Sequence, residues 1–142
     1  MPLTLSLKLT GIPGGSTTTA GSIDVLAFSW GASSPSSAVG GVGKPSVQDL
    51  SLTAFIDVAT AQITQKMLLG TAITKAVLTV VPSTVGQPTD TYTMTNVFVS
   101  SVSLGGSGGE DRLTVNYSFD FGQLDFLLVG KHVTWNLVTN TP

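Results

Sequence analysis

Between residues 113 and 121 the chain alternates without a break. Leu113, Val115, Tyr117, Phe119 and Phe121 fall on one side of a two-residue repeat, and Thr114, Asn116, Ser118 and Asp120 fall on the other. Such a pattern requires a strand with one buried and one polar face. Residues 3–9 repeat it, with Leu3, Leu5, Leu7 and Leu9 set against Thr4, Ser6 and Lys8. Val, Thr and Ile together make up 41 of the 142 residues, and their stiff side chains suit a pleated, half-buried surface better than a helix. The class is mainly β, in one domain spanning residues 1–142.

Eight strands are expected: 3–9, 23–30, 47–56, 73–81, 91–104, 111–121, 124–129 and 132–139. In the second, Leu26, Phe28 and Trp30 share one face and Ile23, Val25, Ala27 and Ser29 the other. One helix is expected over 58–69, where Ala59, Ile63 and Met67 recur at spacings of four, with Asp57 as N-cap and Gly70 as its left-handed stop. Residues 31–45, rich in Ser and Gly, have no periodic apolar face and read as a long loop of functional type. Regularly spaced strands with one helix suggest a small barrel or sandwich with the helix against its side.

Only 14 residues are charged, six Lys or Arg and eight Asp or Glu, and the net charge is -2. The cations are scattered singly, so no field is available to draw in nucleic acid or an anionic membrane. Apolar runs are a few residues long, far short of the roughly 20 that span a bilayer. The N-terminus lacks the basic start and solid apolar stretch of a signal peptide, which places synthesis in the cytoplasm and export, if any, on another route. Cys is absent, so no disulfide forms.

Motifs for chemistry fail in turn. Gly40-Gly41-Val42-Gly43-Lys44-Pro45 ends in Gly-Lys, but Pro45 stands where a phosphate loop needs a hydroxyl and Ala38 where it needs its first Gly. In Gly105-Gly106-Ser107-Gly108-Gly109, glycine supplies positive φ for a hairpin connection or room for another backbone. The adjoining Glu110 and Asp111 would repel an anion. His132 is the sole histidine and lies on a strand with no carboxylate beside it in the sequence, so it reads as structural and no nucleophile–base pair is identified. Metal ligands are only scattered carboxylates. Asp49 and Asp57 are a possible pair, although Asp57 is better explained as the helix cap. Asn116-Tyr117-Ser118 fits a glycosylation acceptor by chance, mid-strand and without a secretory signal. These readings give no enzyme, no cofactor and no metal. A nearly uncharged surface rich in small hydroxyls favours self-association.

Three blocks in order along the chain then become specific. Ile23-Asp24-Val25-Leu26-Ala27-Phe28-Ser29-Trp30-Gly31, Val47-Gln48-Asp49-Leu50-Ser51-Leu52-Thr53, and Val99 through Gly105-Gly106-Ser107-Gly108-Gly109-Glu110-Asp111-Arg112-Leu113-Thr114 closely resemble the Hcp family, the tube proteins of bacterial type VI secretion systems. The resemblance runs from Leu3 to about Thr139. It implies a β-barrel of two sheets with one flanking helix, built into a six-membered ring whose rings stack into a tube. It also implies a spike protein, a contractile sheath and secreted effectors as partners, and release through the secretion apparatus without a signal peptide. The chain departs from the family in a shorter connection around residues 129–131 and in fewer glycines in the long loop.

Carried over by position, Ser29 faces the channel, and its strand face also holds Val25 and Ala27, with Ser51 and Thr53 on the same wall. Subunit contacts are expected from the long loop at Ser33, Ser34, Val39, Val42 and Lys44. They are also expected from the glycine-rich connection at Gly106, Ser107, Gly108, Glu110, Asp111 and Arg112. Ring stacking is expected from residues 82–88, with Ser83, Gly86 and Gln87, and from the C-terminus at Asn140. A tail-tube protein of a phage-like or extracellular injection system shares these features, and a monomeric effector carrier shares the barrel alone.

Overall fold

The computed structural model describes residues 3–16, 20–34, 36–37, 41–42, 45–82, 86–109 and 112–142. Along the chain run β1 (Thr4–Leu9), β2 (Ile23–Ser29), β3 (Ala32–Ser33), β4 (Ser36–Ser37), β5 (Gly41–Val42), β6 (Ser46–Val47) and β7 (Leu50–Phe55). Then come α1 (Thr60–Leu69), β8 (Ile73–Val81), β9 (Asp90–Gly105), β10 (Thr114–Leu128) and β11 (Lys131–Asn136). The main sheet has the order β11-β10-β7-β2-β1-β8-β9, and β9 pairs back onto β10. That last pairing closes six strands into a barrel and leaves β11 as an added edge strand. Closure satisfies backbone groups that an open sheet would leave unpaired.

Two strands of 15 and 16 residues, β10 and β9, make closure possible. Residues 114–119 of β10 pair with β7, residues 123–128 pair with β11, and β9 accompanies β10 along its length. The sequence pattern suggested two strands, 111–121 and 124–129, because the apolar parity changes there. The structure instead bends a single strand. Phe119 and Phe121 are buried on odd positions, Leu124 and Phe126 on even ones, and Gly122 lies between. Opposite the bend Asn96 adopts a φ of 56°, and a Cβ at Gly122 would meet the Asn96 amide at 3.4 Å. The pleat is reset within the strand, so no turn is needed.

The barrel interior is filled by alternate residues of every long strand, among them Leu7, Ile23, Leu50, Leu78, Met94, Val115 and Phe119. Helix α1 packs on β9 and buries Ile63, with Met67 half-buried and Ala59 buried just before its first turn, as the four-residue spacing predicts. Regular helix begins two residues later than expected, at Thr60. Asp57 caps the turn before it. Its Oδ1 accepts the Ala59 amide at 2.9 Å, and its own amide donates to the Thr60 hydroxyl at 3.0 Å. The second carboxylate oxygen accepts the Gly15 amide at 2.9 Å, which ties the β1–β2 connection to the helix start. Gly70 ends the helix at a φ of 69°. Among the described residues no helix is long and apolar enough to cross a membrane.

The long connection between β2 and β7 is not a plain loop. Ala32 and Ser33 pair with Val47 and Ser46, and Ser36 and Ser37 pair with Val42 and Gly41, so the segment folds back on itself as a nested ladder. Backbone pairing needs no apolar side-chain pattern, which is why the sequence did not announce it.

β10 and β11 are joined by a tight turn at Val129 and Gly130, with φ of 49° and 78°. Glycine is suited to this turn but a β-branched residue is not, because its Cβ crowds the backbone in the left-handed region. The Val129 side chain is 70% exposed, so packing does not repay the strain. Val129→Asn is therefore expected to raise stability by about 1 kcal/mol, read as a melting temperature higher by about 3–4 °C. An unchanged or lower value would contradict the strain.

Candidate functional site

The register of β2, β7, β10 and β9 builds one outward face from short polar side chains. Ser29 is opposite Ser51, Ser51 opposite Ser118, and Ser118 opposite Ser101, so four serines stand in one row across four strands. The next row is Ala27, Thr53, Asn116 and Ser103. None of the eight carries a charge. The Thr53 hydroxyl donates to Asn116 Oδ1 at 2.6 Å, and the Ser51 and Ser118 hydroxyls are 3.4 Å apart. A shallow hollow of about 310 Å³ lies over the centre of these rows.

Two local irregularities hold the array in register. In β2 a bulge falls between Val25 and Ala27. It overturns the expectation that Val25 shares the outward face of Ser29. Val25 is 7% exposed and belongs to the core, and past the extra residue Ala27 and Ser29 turn outward. The same bulge exposes Leu26 while Phe28 and Trp30 stay half-buried, so those three do not share a face. In β9 a second irregularity passes over Ser100, whose hydroxyl donates to Asp49 Oδ2 at 2.6 Å.

Ser29, Ala27, Ser51 and Thr53 are thus brought together, with Val25 removed. Asn116, Ser118, Ser101 and Ser103 complete the face and were not singled out from sequence. The alternation in β10 marks Asn116 and Ser118 as outward-facing, but which strand stands beside them depends on register, which no local pattern encodes.

The buried side of the same strands carries Tyr117, 1% exposed, whose hydroxyl donates to Thr60 Oγ1 at 2.9 Å across the barrel to the helix. Burial pushes its pKa above 10, opposed by the Thr60 hydrogen bond and assisted by Asp57. Burial and then Asp90 raise Tyr92 likewise. Phenols with raised folded-state values contribute stability that is present below pH 10 and lost as pH rises through those values, because the unfolded chain ionises first. Tyr117→Phe should cost about 1 kcal/mol at neutral pH and flatten part of the decline above pH 10. Urea midpoints measured at pH 7 and pH 11 test both halves, and an unchanged alkaline slope would contradict this assignment.

At one end of the face lies the glycine-rich connection. Gly106, Ser107 and Gly108 are exposed, and with Ile56, Leu104 and Leu113 they line a mostly apolar hollow of about 510 Å³. Contrary to expectation, Gly105, Gly108 and Gly109 do not adopt positive φ, and a Cβ on any of them meets nothing within 4 Å. The fold of the subunit does not require glycine at those three positions. Arg112 places its guanidinium 3.9 Å over the Phe55 ring. Ser33 and Ser34 are exposed on the ladder connection, and Val42 lies in its inner rung. Gly86 and Gln87 are exposed before β9, and Asn140 is exposed with a φ of 58°. Val39, Lys44, Ser83, Glu110 and Asp111 lie outside the described residues.

Folding also gives His132 the carboxylate neighbour that it lacks in sequence. Its Nδ1 is 2.8 Å from Asp125 Oδ1 across the β10–β11 hairpin, and both side chains are open to solvent. Among the described residues no group of three or more His, Cys, Asp or Glu gathers where it could hold a metal ion.

The family model described as type VI secretion system effector, Hcp, matches residues 7–127. The chain belongs to the Hcp family. Protein hcp1 of Pseudomonas aeruginosa is 43% identical over 84 residues, an alignment that takes in 57% of this chain and spans about half, 51%, of that relative. Hcp1 from Salmonella typhimurium superposes with a TM-score of 0.80 at 26% identity, covering 99% of both chains. A type VI secretion system effector from Yersinia pestis shares the fold, with a TM-score of 0.76 at 23% identity over 93% of this chain and 98% of its own. The mainly β barrel with one helix is thus the Hcp fold, and the chain is a type VI secretion protein of the Hcp family.

Proposed function

We propose that copies of this chain close into a six-membered ring with the serine rows turned to a central channel, and that stacked rings form a tube carrying effectors. The observation that carries the reading is the in-register array from Ser29 to Ser101 and from Ala27 to Ser103, eight uncharged residues across four strands. Charge-assisted hydrogen bonds are roughly twice as strong as neutral ones, so a channel wall without charges offers cargo many weak, exchangeable contacts and no deep trap. Propulsion by a contractile sheath and capping by a spike complete the reading.

A closed ring uses two different patches per subunit. The glycine-rich connection is our choice for one of them, because Gly105, Gly108 and Gly109 answer to no demand inside the subunit and leave backbone open to a neighbour. Residues 31–47 supply the other, with Ser33, Ser34 and Val42. Gly86 and Gln87 on one rim and Asn140 on the other serve stacking. Gly108→Ala separates this role from folding. Subunit stability should stay within about 0.5 kcal/mol, whereas the ring should dissociate at protein concentrations where the unaltered protein remains assembled. Sedimentation velocity over a dilution series reads the outcome, and equal dissociation of both proteins removes the connection from the interface. A clean monomer of 14.6 kDa at every concentration would instead favour a monomeric effector carrier.

A further inference from the structure

We propose that a second groove, on the half of the β9–β10 ribbon away from the serine rows, binds a saccharide. It does not depend on ring assembly. Here β8, β9, β10 and β11 stand side by side, and their register sets Lys75, Thr95, Gln123 and Asn136 in one row. The next row holds Val77, Thr93, Asp125 and Thr134. A groove of about 580 Å³ runs over both rows except Val77, bounded by Trp135 and the C-terminal Thr141 and Pro142. That volume falls within the range of pockets for small ligands.

Hydrogen-bonding capacity in the groove is largely unspent. Asn136 Oδ1 accepts the amides of Val138 and Thr139 at 2.9 and 3.0 Å, which fixes the side-chain amide and leaves its amino group free to donate. Asp125 gives one oxygen to His132 and keeps the other. The side chains of Gln123 and Lys75 make no hydrogen bond or ion pair with the described residues. The groove therefore presents two amides, an ammonium, a carboxylate oxygen and threonine hydroxyls, with Trp135, half-buried against the core opposite Leu124, at its margin.

That set selects a ligand class by elimination. An apolar ligand would strand the amides and the ammonium without partners. An anion would meet Asp125, and a metal ion would find a single carboxylate beside a repelling Lys75. A neutral molecule with closely spaced hydroxyls, as on a pyranose ring, supplies donors and acceptors together. A pyranose unit, free or within an envelope glycan, satisfies every group named.

Isothermal titration of the intact protein with chitotriose and with maltotriose tests the proposal. The expected result is saturable, millimolar binding of at least one trimer, weakened at least tenfold by Gln123→Ala and by Lys75→Met and unchanged by Ser51→Ala in the serine rows. Preference for chitotriose would point to an N-acetylated envelope glycan, and equal binding to pyranose rings in general; both outcomes support the site. No saturable binding of either trimer would overturn it, as would binding that survives both groove substitutions. Elution at the volume of the unaltered protein verifies that each variant is folded, and the two groove variants stand in for each other if one is not.

Discussion

Replacing Ser118 by arginine is expected to leave the subunit folded and the ring assembled while cutting the effector recovered with it at least tenfold. The position is half-buried on the outward face, between Ser51 and Ser101, and the arginine side chain has open space above the sheet to extend into. Surface replacements of this kind change stability by about 0.5 kcal/mol or less. In a ring the substitution repeats in every subunit and lines the channel with guanidinium groups. They are screened from one another beyond about 8 Å at physiological salt, so repulsion does not open the ring. Cargo in contact with the wall meets all of them. Co-purification of effector with ring, quantified against the unaltered protein, gives the answer. Full cargo recovery on an intact ring would remove the serine rows from the cargo path.

The largest effect on stability is expected from Phe119→Ala. Phe119 is fully buried, lies 5.9 Å from the Tyr117 ring centroid, and sits on the strand that both β7 and β9 pair with. Removing a buried phenyl group costs about 3–5 kcal/mol, from lost transfer energy and from the cavity left behind. Domains of this size are stable by about 5–15 kcal/mol, so the variant should retain little reserve and a urea midpoint far below that of the unaltered protein. Both must be measured at one protein concentration, because assembly adds to apparent stability. A loss below about 1 kcal/mol would mean that the barrel interior is looser than its packing indicates.

The sequence made plain whatever depends on local period. Alternation from Thr114 to Phe121 sorted the buried and outward residues of β10 correctly, although Leu113, placed on the buried side by the same pattern, lies before the strand and is 52% exposed. The Ala59, Ile63 and Met67 spacing found the helix and its packed face. The features it concealed come from register and irregularity. One extra residue in β2 moved Val25 into the core and turned Ala27 and Ser29 outward, an inversion that alternation cannot foresee. The bend at Gly122 looked like a strand boundary because a change of parity within a strand and a turn between strands leave the same trace. The ladder that pairs residues 32–33 with 46–47 and 36–37 with 41–42 is held by backbone groups that every residue possesses, so side-chain pattern carried no sign of it. Candidate site residues followed the same division. Ser29, Ser51 and Thr53 came from resemblance, whereas Ser101, Ser103, Asn116 and Ser118 required the strand order.

Electron cryomicroscopy of the assembled protein bears most directly on the whole account. We predict a closed six-fold ring in which the row Ser29, Ser51, Ser118 and Ser101 faces the central opening. A particle without a closed ring, or a ring with that row on its outer wall or between subunits, would contradict it.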